Sequence, residues 1–194
     1  MKTTGFMNGK NIKKIALAAV VVLLSVAPLK AQVEWTTIDE MGSIDLKENN
    51  KLGFIDFYTT WCGWCKKLDS DTFTNDTVAR ILNKYYIAAK VDAETKDDIT
   101  WKGIVYKNPD LTRKTTHSFV KHIIIGKISY PTTVVLDKHM NVINVLPGYF
   151  SPKDFVKVLW YFVNDNYKKY PFESYNDVFE SQIRPKMNKD LGYK

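Results

Sequence analysis

Along this chain, short apolar runs alternate with stretches in which apolar residues recur every three or four positions. Leu52-Gly53-Phe54-Ile55-Asp56-Phe57-Tyr58 is almost continuously apolar, as expected of a central strand buried on both faces. Asp56 interrupts it, and a carboxylate in a buried strand calls for an explanation. Residues 33–38 and 87–92 predict further strands, and Thr132–Leu136 followed by a turn and residues 142–146 predicts a hairpin. A helix is expected after a cap at Asn75 or Asp76, with Val78, Ile81, Leu82 and Tyr85 on one face. A second follows Ser151-Pro152, with Phe155, Val156, Leu159, Trp160 and Val163 aligned. Weaker helical patterns cover residues 39–50 (Met41, Ile44, Leu46), 118–125 (ended by Gly126) and 171–184 (Phe172, Tyr175, Phe179, Ile183). Residues 93–116 are polar, carry the turn signal Asn108-Pro109-Asp110, and predict a loop. Strands alternating with helices and closing on a hairpin and a helix predict an α/β fold with a mixed central sheet flanked by helices.

The N-terminus changes this picture. Lys10, Lys13 and Lys14 precede an apolar run over residues 15–29, and small residues follow, the pattern of a secretory signal peptide. Residues 1–31 are read as that signal, with cleavage between Ala31 and Gln32; a cut after Ala27 would leave Pro28 just past it. An uncleaved anchor is the alternative, but a spanning helix needs roughly 20 apolar residues. This run is shorter and is broken by Pro28. With no cysteine before Cys62, a lipid-modified N-terminal cysteine is excluded. The mature protein is expected in the periplasm or otherwise exported, without stable membrane insertion, where disulfides are made and reshuffled. Its expected organisation is a domain over 32–166 and a helical C-terminal extension over 167–194 packed on it, as a monomer.

Charge then excludes one class of partner. Residues 1–31 hold five lysines and no acid, so without them the formal charge falls from +7 to +2. No basic stripe interleaved with aromatics survives, and nucleic acid is not an expected partner.

Cys62 and Cys65 are the only cysteines. Two residues apart at the start of a helix, they share one face of its first turn, where Cα atoms can fall within the ~4.4–6.8 Å a disulfide requires. Free N–H groups and the dipole at that end stabilise a thiolate at Cys62, the attacking species in disulfide exchange, and Cys65 resolves the mixed disulfide. Two other readings remain. A structural disulfide is possible in an exported protein, although so small a ring constrains the unfolded chain little. A zinc site would draw on His117, His122, His139 or carboxylates, none at a recognisable spacing.

The strand Phe54 to Tyr58 followed by Thr59-Thr60-Trp61-Cys62-Gly63-Trp64-Cys65-Lys66 resembles the active-site strand and helix of thioredoxin. The continuation Lys67-Leu68-Asp69-Ser70-Asp71-Thr72-Phe73 resembles the thioredoxin-like proteins related to the C-terminal periplasmic domain of the reductant transporter DsbD. This resemblance covers residues 33–165 and implies a thioredoxin fold. It implies a buried aspartate six residues before the first cysteine (Asp56), a lysine beside it on the next strand (Lys90), a cis-proline opposite the disulfide (Pro131, after Tyr130), and a glycine after the final strand (Gly148). A buried Asp56 would have a raised pKa and could exchange the proton of Cys65; as a satisfied core carboxylate it would only pair with Lys90. Tyr130 could offer backbone groups to an extended partner chain, whereas Pro131 could also be a plain edge-strand proline. Trp61 and Trp64, flanking the cysteines with Gly63, are expected to form an exposed docking surface, unless they are core rings.

The resemblance implies a thiol–disulfide oxidoreductase with the catalytic set Cys62, Cys65, Asp56 and Lys90. The substrate-binding set is Trp61, Gly63, Trp64, Tyr130 and Pro131. The redox-active Cys62–Cys65 disulfide is the working group, with no metal or other cofactor. Protein thiols and disulfides and an upstream redox partner are the expected partners. Gly63-Trp64 between the cysteines differs from the Gly-Pro of reducing thioredoxins and the Pro-His of strong oxidants, across a potential range of ~−270 to ~−120 mV. The expected direction is reduction rather than oxidation. The rival from another class is a thioredoxin-fold chaperone or assembly module with incidental cysteines.

Overall fold

The computed structural model describes residues 30–193, so residues 1–29 of the expected signal segment lie outside the described residues. From Ala31 on, the chain forms one compact unit. Five strands make the central sheet in the order β1 (Trp35–Thr36), β3 (Tyr86–Asp92), β2 (Leu52–Tyr58), β6 (Thr132–Leu136) and β7 (Val142–Pro147). The pairs β1–β3 and β3–β2 are parallel, and β2–β6 and β6–β7 antiparallel, so the sheet is mixed. The α/β thioredoxin fold is the one observed.

Strand β2 is central, and alternation divides its side chains between two cores. Phe54 lies in one cluster with Val78, Ile81 and Leu82 of α3 (Asp76–Tyr85) and Phe155 and Leu159 of α5 (Pro152–Phe162). Ile55 and Phe57 point the other way, to α1 (Ile38–Ser43) and α4 (Ser118–Ile123). Asp56 shares the Phe54 face.

Several expected elements differ from those observed. The opening strand shrinks to two residues because Thr37 caps α1: its hydroxyl accepts the Glu40 N–H, and the Glu40 carboxylate accepts the Thr37 N–H at 3.0 Å. Helix α1 stops at Ser43 rather than continuing to residue 50, since Ile44 is extended. The stretch read as a polar loop contains a hairpin, β4 (Ile99–Trp101) and β5 (Ile104–Tyr106), turned at Lys102 and Gly103, both with positive φ. Helix α4 ends at Ile123, two residues early.

The C-terminal extension is helical, in pieces: α6 (Asn166–Lys169), α7 (Phe172–Val178), a π-helical turn over Phe179–Ile183, and α8 (Arg184–Asp190). It therefore runs past Arg184, where the expected helix ended. Tyr175, Phe179, Met187 and Leu191 are buried in the same cluster as Phe54 and Phe155. The extension thus completes a core face of the domain. Phe179→Ala is expected to destabilise the protein by about 3–5 kcal/mol, as for other buried phenylalanines. Urea unfolding checks this, and a loss below about 1 kcal/mol would mean the extension is peripheral.

Candidate functional site

Strand β2 brings the chain to one end of the sheet, where residues 59–61 turn it into α2 (Gly63–Lys67), continued by a π-helical turn over Leu68–Phe73. Cys62 is the N-cap of α2. Its backbone is extended, its N–H donates to Thr59 O at 3.1 Å, and its Sγ accepts the Cys65 N–H at 3.0 Å. The two cysteines are joined by a disulfide, Cα to Cα 5.3 Å. They are nearly equally buried, 5% and 3% exposed. Access therefore does not distinguish them; the N-cap position does, because the N–H aimed at Cys62 Sγ favours negative charge there.

Trp61 and Trp64 are 57% and 59% exposed, so neither is a core ring. Each is backed by another aromatic ring. Trp61 stands edge-on to Tyr130 at 6.3 Å and donates from Nε1 to Glu94 Oε2 at 3.0 Å. Trp64 lies 5.6 Å from Tyr149, whose hydroxyl donates to Asp71 at 3.2 Å. Between them Gly63 faces open space, with nothing within 4 Å of an added methyl. The Tyr130–Pro131 peptide bond is cis, and Pro131 O accepts the N–H of Gly148 at 2.8 Å, a residue at φ +92° that favours glycine.

The strand that leads into this helix carries the buried carboxyl. Asp56 is in register with Lys90 on β3, and its Oδ2 is 3.4 Å from Lys90 Nζ. Lys90 is not a dedicated partner, because it also contacts Asp69 of the π-helical turn. Its ammonium sits 5.1–5.5 Å from the ring centroids of Tyr58, Phe73 and Trp35. Asp56 Oδ1 has no hydrogen-bond partner among the described residues. Lys90 thus meets only one of the two carboxyl oxygens among the described residues. Burial pushes the Asp56 carboxyl up to about 7 against the pull of Lys90, and the Asp69 charge adds to the rise.

The histidines weighed as zinc ligands are engaged elsewhere. His117 caps α4, its Nδ1 accepting the Phe119 N–H at 3.2 Å; His122 packs on the Tyr106 ring at 5.0 Å; His139 lies in the β6–β7 turn. Among the described residues no three His, Cys, Asp or Glu side chains gather as metal ligands. Three site residues escaped the sequence reading: Asp69, Glu94 and Tyr149. A signal existed for Asp69, which lies four residues after Cys65 and so shares its helix face. Tyr149 follows the glycine that the resemblance marked, and Glu94 carried no signal.

A raised carboxyl pKa has a definite consequence for stability. Between the unfolded value of ~3.9 and the folded value of about 7 the native state holds the proton that the unfolded chain has lost. The Asp56 contribution therefore falls as pH rises through this window and is level outside it, a span of roughly 4 kcal/mol. Asp56→Asn removes the titration, so the variant should gain on wild type between pH 4 and 7, by urea unfolding across that range. A variant less stable than wild type at pH 8 would show the ion pair with Lys90 to be net stabilising.

Comparison with known proteins adds kinship to this geometry. Residues 22–163 match the family Thioredox_DsbH, described as a protein of unknown function, DUF255. An uncharacterised protein of Caenorhabditis elegans is 31% identical over 67 residues, 34% of this chain and 9% of that one. Protein disulfide-isomerase 1 of Dictyostelium discoideum is 32% identical over 88 residues, 45% of this chain and 24% of that one. The chain thus spans at most a quarter of the length of these curated relatives. A solved thioredoxin-fold protein from Helicobacter pylori shares the fold, with a TM-score of 0.52 at 19% identity over 78% of this chain and 99% of that one. Since the family match runs through the strands, the two cysteines and the cis-proline, this chain belongs to the Thioredox_DsbH family of thioredoxin-like proteins.

Proposed function

We propose that the protein is an exported thiol–disulfide oxidoreductase that reduces disulfides in other proteins. The observation that carries the proposal is the Cys62–Cys65 disulfide at a helix N-cap, next to two exposed indoles in the chain, on a helix that follows the strand carrying a buried carboxyl with one oxygen unpartnered among the described residues. Export is supported by the three lysines before the apolar run over residues 15–29. No helix among the described residues is long and apolar enough to cross a membrane.

The reaction starts from the dithiol. The Cys62 thiolate attacks one sulfur of a partner disulfide; that S–S bond breaks, a mixed disulfide forms, and the other partner sulfur leaves as a thiolate that takes a proton. Cys65 then gives its proton to the Asp56 carboxylate and attacks Cys62 Sγ. The second partner sulfur departs, the Cys62–Cys65 disulfide is left, and two electrons have passed to the partner. An upstream protein dithiol must return them. Lys90 keeps part of the Asp56 population ionised at neutral pH, which a base requires. Trp61, Gly63, Trp64, Tyr130 and Pro131 would receive an extended, apolar partner segment.

Reduction rather than oxidation is supported by the charges. A strong oxidant stabilises its reduced form through a very stable thiolate. Here Cys62 Sγ receives one backbone N–H, and Lys67, the last residue of its helix, is already paired with Asp71 at 2.5 Å.

Catalytic amounts of the protein should accelerate insulin reduction by dithiothreitol, and Cys62→Ser should abolish the effect. Cys65→Ser, expressed in its native compartment, should carry partner proteins on Cys62 that a reductant releases. No acceleration, together with no trapping above the Cys62→Ser control, would favour a binding module whose cysteines are incidental.

A further inference from the structure

Pairing with Lys90 accounts for one oxygen of Asp56 and leaves Oδ1 without a partner among the described residues. Directly opposite Asp56, on the antiparallel neighbour β6, stands Thr133. Its hydroxyl is as buried as the carboxyl and also lacks a partner among the described residues. Opposed residues of an antiparallel pair project to the same face, with Cβ atoms about 4.5–5.5 Å apart. The core clusters agree. The next opposed pair on that face, Phe54 and Val135, shares one cluster, while the intervening pair, Ile55 and Val134, belongs to the other. The neighbouring Thr132 is different, since its hydroxyl donates to Ser129 O at 2.7 Å. Each orphaned buried group is costly alone.

We propose that Thr133 is a positioning residue for Asp56, its hydroxyl donating to Oδ1 once the carboxyl ionises and so setting the pH at which Asp56 takes up a proton. A hydrogen bond to the charged form favours that form. Thr133 therefore makes Asp56 a stronger acid than a valine at the same place would, working alongside Lys90 of β3 and against Asp69 of the π-helical turn, the other charged groups that act on the carboxyl. That the proton comes from Cys65 rests on the redox function proposed above; the pairing of Thr133 with Asp56 does not.

The test is a carbon-13 carboxyl titration of Asp56 in the oxidised protein, compared among wild type, Thr133→Val and Thr133→Ser. Valine keeps the β-branched shape and removes the hydroxyl, and serine keeps the hydroxyl. The Asp56 midpoint should rise by about one pH unit in the valine variant, a tenfold weaker acid, and stay near wild type in the serine variant. If the valine variant does not fold, Thr133→Ala read against Thr133→Ser serves the same comparison. A midpoint unmoved without the hydroxyl, or moved equally in all variants, overturns the proposal. The pH profile of insulin reduction should move with the carboxyl. If wild type reduces no insulin, the proposed function fails while the titration still decides Thr133.

Discussion

Ionising a carboxyl away from water costs several kcal/mol, and a fold must either offset that cost or leave the proton in place. Asp56 lies between these outcomes. It is enclosed on the central strand, 3.4 Å from one ammonium that it shares with Asp69, with its second oxygen unmatched. Its proton is consequently held near neutrality rather than at the usual carboxylate range. A group balanced in this way, on the strand that leads into a two-cysteine helix, suits chemistry in which protons and electrons move together.

The surrounding architecture serves that balance. The parallel register of β2 and β3 sets Lys90 beside Asp56. The π-helical turn after α2 carries Asp69 to the same ammonium, and three aromatic rings surround it. Antiparallel β6 starts from the cis Tyr130–Pro131 bond and then presents Thr133 to the carboxyl. One short strand thus joins the expected partner-binding loop to the buried acid. The exposed surface has its own supports, Glu94 and Tyr130 for Trp61 and Tyr149 for Trp64.

Much of this was legible in the chain. Strand β2 announced itself by its apolar run, Asp56 by breaking that run, and the cysteine pair by its spacing. What was misread had local causes. Thr37-Ile38-Asp39-Glu40 is a capping box, and it ends the first strand where apolar pattern alone would carry on. Ile99-Thr100-Trp101 and Ile104-Val105-Tyr106 around Lys102-Gly103 are a hairpin signature hidden in a polar stretch. The spacing of Asp69 from Cys65 gave its helix face but not its contact with Lys90 of β3, and Thr133 needed the register of two strands distant in sequence. Tertiary pairing of that kind leaves no local trace.

The role proposed for Asp56 is to accept the proton of Cys65. The most direct measurement is the single-turnover rate of resolution of a preformed Cys62 mixed disulfide, followed against pH in wild type and Asp56→Asn. The wild-type rate should rise with pH and level off above about 7, where the carboxyl is ionised, and the variant should be roughly tenfold to a hundredfold slower and lose this inflection. An inflection at the same pH and a comparable rate in the variant would contradict it, and would leave Asp56 a structural partner of Lys90.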